Sequence, residues 1–538
     1  MPESLALSLT NRLKSMKSDR QVWETHWQDI ADFVLPDRQF LSSNDRGSQN
    51  RNNIFDSTAP VANERLTNLL NGMLTNASLQ WFSLGTFEGI EDEDRDARAW
   101  LDAVRHRILR YLNQPQYRFY VALGELYQDL IGFGTGVIFI KQKGEACLFQ
   151  SVPLADCYID ENDEGTVDTL FREIKYTARQ AVSAFGDDVP EEVSDAMDEN
   201  RPQQKFTFVQ CVYPREDRNP DRMDASNKPW ASVVLFDGRT SDPTIIRQSG
   251  FDMFPFLVPR WTKAAGEIYG RSPAMKVLPD IRLVNAMART VLESAQKAAD
   301  PALQVPDDGF LQPIRTHPGG LNYYRAGSGD LIQPLNTGAR PDIGEQMIER
   351  KQAKIDEAFY QDLFQLPELD RMTAFEVSQR RNDRLQQFSP VLSRIYTEML
   401  DPLITHIFSK LAPELADTTP NAIAGRRLKI IYVSPLALSQ KSSEGFNIQQ
   451  YLQYLTPMAQ ADPGVFNNID TDEYARMGMS IFNVPGRLFR TVEEVEERRQ
   501  AEQEAASSQN EAATALDAAR AAEAGTGALA NISGTGMQ

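Results

Sequence analysis

The residues best able to do chemistry in this sequence do not converge on one site. GFGTG, with Gly132, Gly134 and Gly136, has the backbone freedom of a phosphate-cradling loop. A dinucleotide fingerprint needs a strand before the glycines and a helix after them. Here the order is helix, then strand, so the stretch reads as a tight turn between the two. DENDEG, Asp160 to Gly165, imitates the opening of a calcium loop, but its twelfth position is Phe171 instead of Glu and no helix pair flanks it. A hairpin turn explains it better. The acids from Glu91 to Asp96 read as a solvated loop entering a helix whose N-terminus favours negative charge. His26, His106, His317 and His406 are far apart, and none has a ligand motif. His26 and His406 fall in helical patterns and read as packing residues. Cys147, Cys157 and Cys211 are odd in number and lack metal spacing, so they read as buried thiols in a reducing cytoplasm. No Walker A, G-x-S-x-G or paired-carboxylate motif is present. The expectation is therefore no enzyme, no cofactor and no bound metal.

Charge narrows the classes further. The 538-residue chain carries a formal net charge of −19. Broad gripping of nucleic acid rests on many Lys/Arg–phosphate contacts, so that class is disfavoured. A conduit that lets DNA pass without holding it remains compatible, because an acidic surface repels phosphate. The densest basic groups are Arg172 with Lys175, then Arg380, Arg381 and Arg384, then Arg426, Arg427 and Lys429. They read as surface or ion-pair residues, with contact to a DNA backbone as the functional alternative. No apolar run approaches the ~20 residues of a membrane span. The first twenty residues lack the basic-then-apolar pattern of a secretory signal.

The elements that must position these residues fall into two styles. Up to about residue 130 the pattern is helical. Ser18 is a plausible cap for a helix carrying Val22, Trp23, Trp27, Ile30 and Val34 and ending at Pro36. Further amphipathic helices are read in STAPVANERLTNLLNGMLTN, DARAWLDAVRHRILRYLNQ and FYVALGELYQDLIGFGTG, with a short strand in SLQWFSL. From about 133 to 262 antiparallel strands dominate, in hairpins turning at Gly144 and at Asn162 to Gly165. The class is α+β and predominantly helical.

Beyond residue 265, long helices alternate with punctuated tracts. One helix places Val284, Met287, Val291, Ala295 and Ala298 on a stripe, and another has a narrow stripe of Ile348, Ile355 and Phe359 among charges. Narrow stripes suit packing against like helices. Between these helices lies a Pro/Gly-rich tract of short strands. After the second comes LPELDRMTAFEV, where Pro367 disfavours continuing the helix and Thr373 with Glu376 has capping-box spacing. The helix restarted there carries Pro390 and Pro402, which predict kinks. The last forty-odd residues are Ala/Glu/Gln-rich and then Gly/Ser-rich, a solvated helix fading into disorder.

Several stretches together resemble the head-to-tail connector, or portal, proteins of short-tailed phages. They are WETHWQDIADFVLPDRQF, NIFDSTAPVANERLTNLLNGMLTNASLQWFSL, LIGFGTGVIFI, VPLADCYIDENDEGTVDTLFREIKYTARQAVSAFG, YGRSPAMKVLPDIRLVN and MTAFEVSQRRNDRLQQFSPVLSRIYTEMLDPLI. The resemblance covers roughly residues 10 to 490. It implies a subunit with wing, helical stem, clip, tunnel loop and crown, assembling into a ring, typically a dodecamer, at one capsid vertex of the virion. The wing would be 1–265, the stem helices 266–300 and 341–364, and the clip 301–340. The tunnel loop would be 365–373, with Gln365, Glu368, Asp370, Arg371 and Met372 facing the channel. The kinked helix and its return to the wing would be 374–439, the crown 440–490 and the tail 491–538. Glu345, Glu349, Arg350, Lys351, Lys354, Asp356 and Glu357 would serve as intersubunit ion pairs or channel wall. Implied partners are double-stranded DNA in the channel, terminase and then tail adaptor or nozzle proteins at the clip, and capsid and scaffolding proteins. Assembly would take place in the host cytoplasm. A tail or adaptor protein without a DNA-translocating channel is the alternative.

Overall fold

The fold follows from a computed structural model, which describes residues 2–38, 54–89, 94–144, 146–219, 221–222, 224–236, 243–304, 314–315, 321, 333–335, 341–361 and 388–432, with scattered residues between 450 and 507. In chain order the elements begin with α1 (Pro2–Phe33), α2 (Thr58–Leu74), β1 (Phe82–Thr86), α3 (Arg95–Leu112) and α4 (Phe119–Phe133). Strands β2 (Ile138–Lys143), β3 (Ala146–Ser151), β4 (Cys157–Glu161) and β5 (Val167–Thr177) follow. After α5 (Ala178–Phe185) and α6 (Glu191–Asp198) come β6 (Lys205–Pro214), β7 (Trp230–Phe236), β8 (Thr244–Phe251) and β9 (Phe256–Leu257). The chain continues through α7 (Pro273–Ala299), β10 (Leu303–Gln304), β11 (Gln333–Pro334), α8 (Pro341–Ala358), α9 (Ser389–Ile395), α10 (Asp401–Leu415) and β12 (Leu428–Tyr432).

These elements form two compact units, one of residues 1–79 and 110–409, the other of 80–109 and 410–538. In the first, β4-β5-β6-β7-β8 make an antiparallel meander and β3-β2-β9 a smaller sheet. Strand alternation sends successive side chains to opposite faces. Val209, Cys211, Val233 and Leu235 meet Ala6, Leu9, Leu13 and Met16 of α1. Phe206, Phe208, Val234 and Phe236 meet Ala178, Ala181, Phe185, Val193 and Ala196 of α5 and α6. Each Leu or Phe fully buried in this way contributes about 1.5–3 kcal/mol. In the second unit β1 pairs antiparallel with β12, from Phe82↔Tyr432 to Thr86↔Leu428. The Trp100 indole N–H also donates to Thr418 Oγ1 at 3.3 Å. Residues 495–505 are helical, and 496–505 are exposed.

Helix α1 corrects the sequence reading. It runs through Ser18 from Pro2, because Ala6, Leu9, Leu13 and Met16 extend the apolar stripe onto the large sheet. Val22 lies off that stripe, and His26 is exposed instead of packed. Midway along, the Arg20 guanidinium is buried. It donates to the carbonyls of Leu154, Ala155 and Cys157 at 3.2, 2.9 and 2.7 Å and lies 3.9 Å from the Tyr158 ring centre. The three cysteines are buried free thiols.

The glycine motif is a close-approach device. Gly134 ends α4 with φ +82°, and a Cβ there would lie 2.3 Å from the Gly270 carbonyl oxygen. Trp261 N donates to Gly134 O at 2.9 Å, and Gly270 N donates to Thr135 Oγ1 at 2.9 Å. Arg260 fills the space beside this contact with a fully buried guanidinium. Nη1 donates to Glu161 Oε2 at 2.7 Å and to Ile268 O at 3.0 Å. Nη2 donates to Gly165 O at 2.7 Å and to Glu398 Oε1 at 2.8 Å. The Arg260 backbone N–H also donates to Glu398 Oε2 at 2.8 Å. Lys263 reaches Glu161 at 2.6 Å and Arg394 reaches Glu398 at 2.9 Å. Desolvation works to raise the Glu161 carboxyl, but the hydrogen bonds from Lys263 and Arg260 outweigh it and hold it below its ordinary range. Glu398 belongs to a π-helical turn, Tyr396–Leu400, just before Pro402. A wide turn there accommodates the donor that proline lacks, at the site where the sequence predicts a kink. Pro390 instead occupies the first turn of α9, where no N–H partner is needed.

Arg260→Met should strand two partly buried carboxylates and destabilise the first unit by about 3–5 kcal/mol. Arg260→Lys should recover only part, since an ammonium cannot span the same acceptors. Urea denaturation followed by tryptophan fluorescence checks this; an unchanged midpoint for the Met variant contradicts it.

Candidate functional site: the paired helices α7 and α8

Helix α7 starts at a side-chain cap: Ser272 Oγ accepts from Met275 N at 3.0 Å, with Pro273 at the first helical position. Its first half is buried through Ala274, Val277, Leu278, Ile281 and Val284, whereas its second half is largely exposed. Helix α8 lies antiparallel to it. Lys351 and Lys354 each place Nζ 2.7 Å from opposite oxygens of Asp280. At the other end Gly344 allows close approach, since a Cβ there would sit 2.6 Å from Val291 Cγ2. Ile355 and Phe359 are buried and Ile348 half-buried, so the narrow stripe is real. The two lysine hydrogen bonds hold the Asp280 carboxyl below its ordinary range.

A short segment before α2 ties both helices to the body of the unit. Asn285 Oδ1 accepts from Phe55 N at 2.7 Å and Asp56 N at 3.3 Å. Gln352 Nε2 donates to Asp56 Oδ2 at 2.6 Å, and Asp56 Oδ1 accepts from Thr58 N at 3.1 Å. Arg282 pairs with Asp29 of α1. The pair is thus a braced projection, built for position and surface charge.

The residues expected here on sequence grounds divide by orientation. Glu345, Glu349, Arg350 and Glu357 are exposed and available to a neighbour. Lys351 and Lys354 are engaged with Asp280 inside the same chain. Asp356 is half-buried; burial raises its carboxyl, with Arg65 opposing and Asp56 adding. Gln365, Glu368, Asp370, Arg371, Met372, Thr373 and Glu376 lie outside the described residues, as do Arg380, Arg381 and Arg384. Of the 301–340 tract, the described part includes one antiparallel contact, Leu303↔Pro334 and Gln304↔Gln333. Arg172 is buried with its guanidinium 4.6 Å from the Phe139 ring centre, not on the surface. Asp280 and Asn285 were not singled out from sequence. A carboxylate falling among the apolar positions of the buried half of α7 is the signal that points to Asp280. Among the described residues no acidic, cysteine or histidine cluster suited to a metal occurs, and no helix is long and apolar enough to cross a membrane.

Comparison with known proteins gives relatives of the chain as a whole. The family model described as bacteriophage head to tail connecting protein matches residues 6–489. The chain is 31% identical over 484 residues to the probable portal protein of Bordetella phage BPP-1, covering 87% of this chain and 85% of that one. It is 28% identical over 541 residues to the portal protein of Salmonella phage epsilon15, covering 98% and 96%. Identity to the portal protein of Escherichia phage T7 is 20% over 421 residues, covering 76% of this chain and 75% of the relative. A chain from the virion of a native gene transfer agent particle superposes with a TM-score of 0.35 at 13% identity, covering 84% and 99%.

Asp280→Asn should weaken the α7–α8 clamp by about 1–2 kcal/mol at neutral pH, the discounted value for a partly solvated pair of charged hydrogen bonds. The sign with pH follows from the depressed carboxyl. Its stabilisation is complete above the ordinary carboxylate value of about 4 and is lost as pH falls through the lower folded value. The wild type should therefore lose its advantage over the Asn variant below about pH 4. Thermal melts of both proteins across pH 2–8 read this; a constant difference across that range contradicts it.

Proposed function

This chain belongs to the bacteriophage head to tail connecting proteins, and on that premise we propose that it is the portal subunit. Copies of it close a ring at one capsid vertex, with a channel that carries DNA inward during packaging and outward during ejection. The ring is a dodecamer. Terminase docks on residues 301–340 first, and tail adaptor and nozzle proteins follow on the same face. Capsid and scaffolding proteins contact the outer part. The subunit does no catalysis of its own; ATP hydrolysis belongs to the terminase. Assembly takes place in the host cytoplasm and the finished ring resides in the virion.

The observation that supports this reading within the molecule is the α7–α8 pair. Leu283, Leu292 and Met347 are 43%, 49% and 49% exposed on helices that otherwise form a rigid, braced unit. A two-helix projection with apolar side chains on its outer faces needs neighbours, and a ring supplies the same neighbour to every copy. The net charge of −19 suits a conduit, because a wall that attracted phosphate strongly would retain its cargo. We assign the channel-facing role to Gln365, Glu368, Asp370, Arg371 and Met372.

Purified full-length protein should form closed rings with a central channel in electron micrographs and a single ring mass by native mass spectrometry. Only monomers and dimers across a range of salt would overturn the proposal. Removing residues 366–371 should reduce packaged DNA in an assembly assay far more than it reduces ring yield. Equal loss of both would reassign that tract to assembly.

A further inference from the structure

We propose that the Arg38–Asp129 pair is a pH-sensitive clasp, which holds the chain leaving α1 against α4 at neutral pH and releases Arg38 into the adjoining cleft on acidification. The clasp lies within one copy, so it goes beyond the ring reading and does not depend on it. Asp129 lies in α4 with only 4% of its side chain exposed, and Arg38 places Nε 3.1 Å from its Oδ1. That oxygen accepts no aligned hydrogen bond among the described residues. The Arg38 side chain is itself 29% exposed. A buried carboxylate held by one partly solvated charge is poorly compensated. Burial therefore pushes the Asp129 carboxyl up to about 6, with Arg38 opposing and Glu125, one turn back on α4, adding to the rise.

The other elements packed against α4 do not supply the missing charge. On α1, Asp29 is paired with Arg282 of α7, and Asp32 accepts from Gln28 Nε2 at 2.8 Å. On α7, Asp280 holds Lys351 and Lys354, and Lys276 is exposed. On α2, Glu64 and Arg65 are exposed, and Arg65 acts on Asp356. Lys141 and Lys143 of β2 are exposed. The buried Cys157 thiol at the start of β4 is pushed up to about 12 by desolvation, so it stays neutral. The freed side chain has a place to go. Arg38 lines a cleft of about 670 Å³ together with Asp37, Glu64 and Glu125, and among the described residues lining it Arg38 is the one cation. Val34 and Leu35 are buried and hold their positions. The moving part is therefore Pro36 to Arg38, tied back by Arg38 N donating to Leu35 O at 2.8 Å. Protonation of Asp129 removes the attraction that keeps the guanidinium out of water, and the carboxylates of the cleft take it up.

Hydrogen–deuterium exchange of the full chain, corrected for the intrinsic effect of pH, reads the clasp at the Asp37 and Arg38 amides. In the wild type, exchange there should rise at least about fivefold relative to the α1 amides before it between about pH 7.5 and pH 5. Asp129→Asn removes the charge and should give the fast exchange at both pH values. Arg38→Gln should do the same without altering the buried position. Melting curves give a second reading. A carboxyl raised in the folded state makes the folded chain bind a proton more readily than the unfolded one, so the charged form costs stability above about pH 6 and the cost is gone below about pH 4. The Asn variant should therefore gain on the wild type as pH rises from about 4 to about 6, and hold a constant difference above that. Wild-type exchange at Asp37 and Arg38 that is the same at both pH values overturns the inference. So does a melting difference between wild type and Asn variant that does not vary with pH.

Discussion

The first unit is organised around one of its buried cations, Arg260. Arg260 sits where four stretches of chain meet: the 161–165 hairpin turn, its own segment 260–262 with isolated bridges to Thr135 and Arg271, the Ile268–Ser272 segment and the helical region carrying Glu398. Guanidinium is suited to this junction because its donors diverge in a plane and can satisfy two carboxylates and two carbonyls at once. Its charge is compensated by Glu161 and Glu398, which in turn hold Lys263 and Arg394. A buried network of this type is strongly destabilised when one partner is removed, because the charges left behind stay buried without compensation.

That junction determines where α7 begins. The Gly134–Gly270 contact brings the end of α4 against the residues just before Ser272. Ser272 then caps the helix, so α7 leaves a fixed point in a fixed direction. The segment at 54–58 takes hold farther along, through Asn285 on α7 and through Gln352 on α8. Asp280 locks the two helices together between these anchors. The glycine-bearing stretches GFGTG and YGRS are thus parts of one brace, although 135 residues separate Thr135 from Gly270.

Much of this was legible in sequence where the signal is local. KFTFVQCVYP and WASVVLF are legible as β-rich runs, and their near-continuous apolar character fits a sheet packed by helices on both faces. The turn at Asn162 was readable because its side-chain oxygen accepts from Glu164 N and Thr166 N, with Gly165 at φ +78°. The start of α1 was misread because Ser18 is a good cap residue in isolation; only the sheet, formed by residues far along the chain, explains the earlier turns. The T-x-x-Q capping box of Thr177 and Gln180 is an equally local signal. The non-local features left no such mark. Nothing near Arg260 in sequence shows that Glu398 will pair with it, and Lys351 and Lys354 look like outward charges until Asp280 is placed opposite them.

The same distinction explains why the paired helices look weak as an isolated element. Their shared stripe is narrow, and Asp280 is occupied inside the pair by Lys351 and Lys354, so the outer faces carry charges of both signs beside the exposed Leu283, Leu292 and Met347. A monomeric protein gains little from leaving apolar side chains open on such a pair. Repeated copies gain at every interface, since each covers apolar surface that the next leaves open. A contact of that heterologous kind repeats in the same sense from copy to copy, and a ring is its closed form.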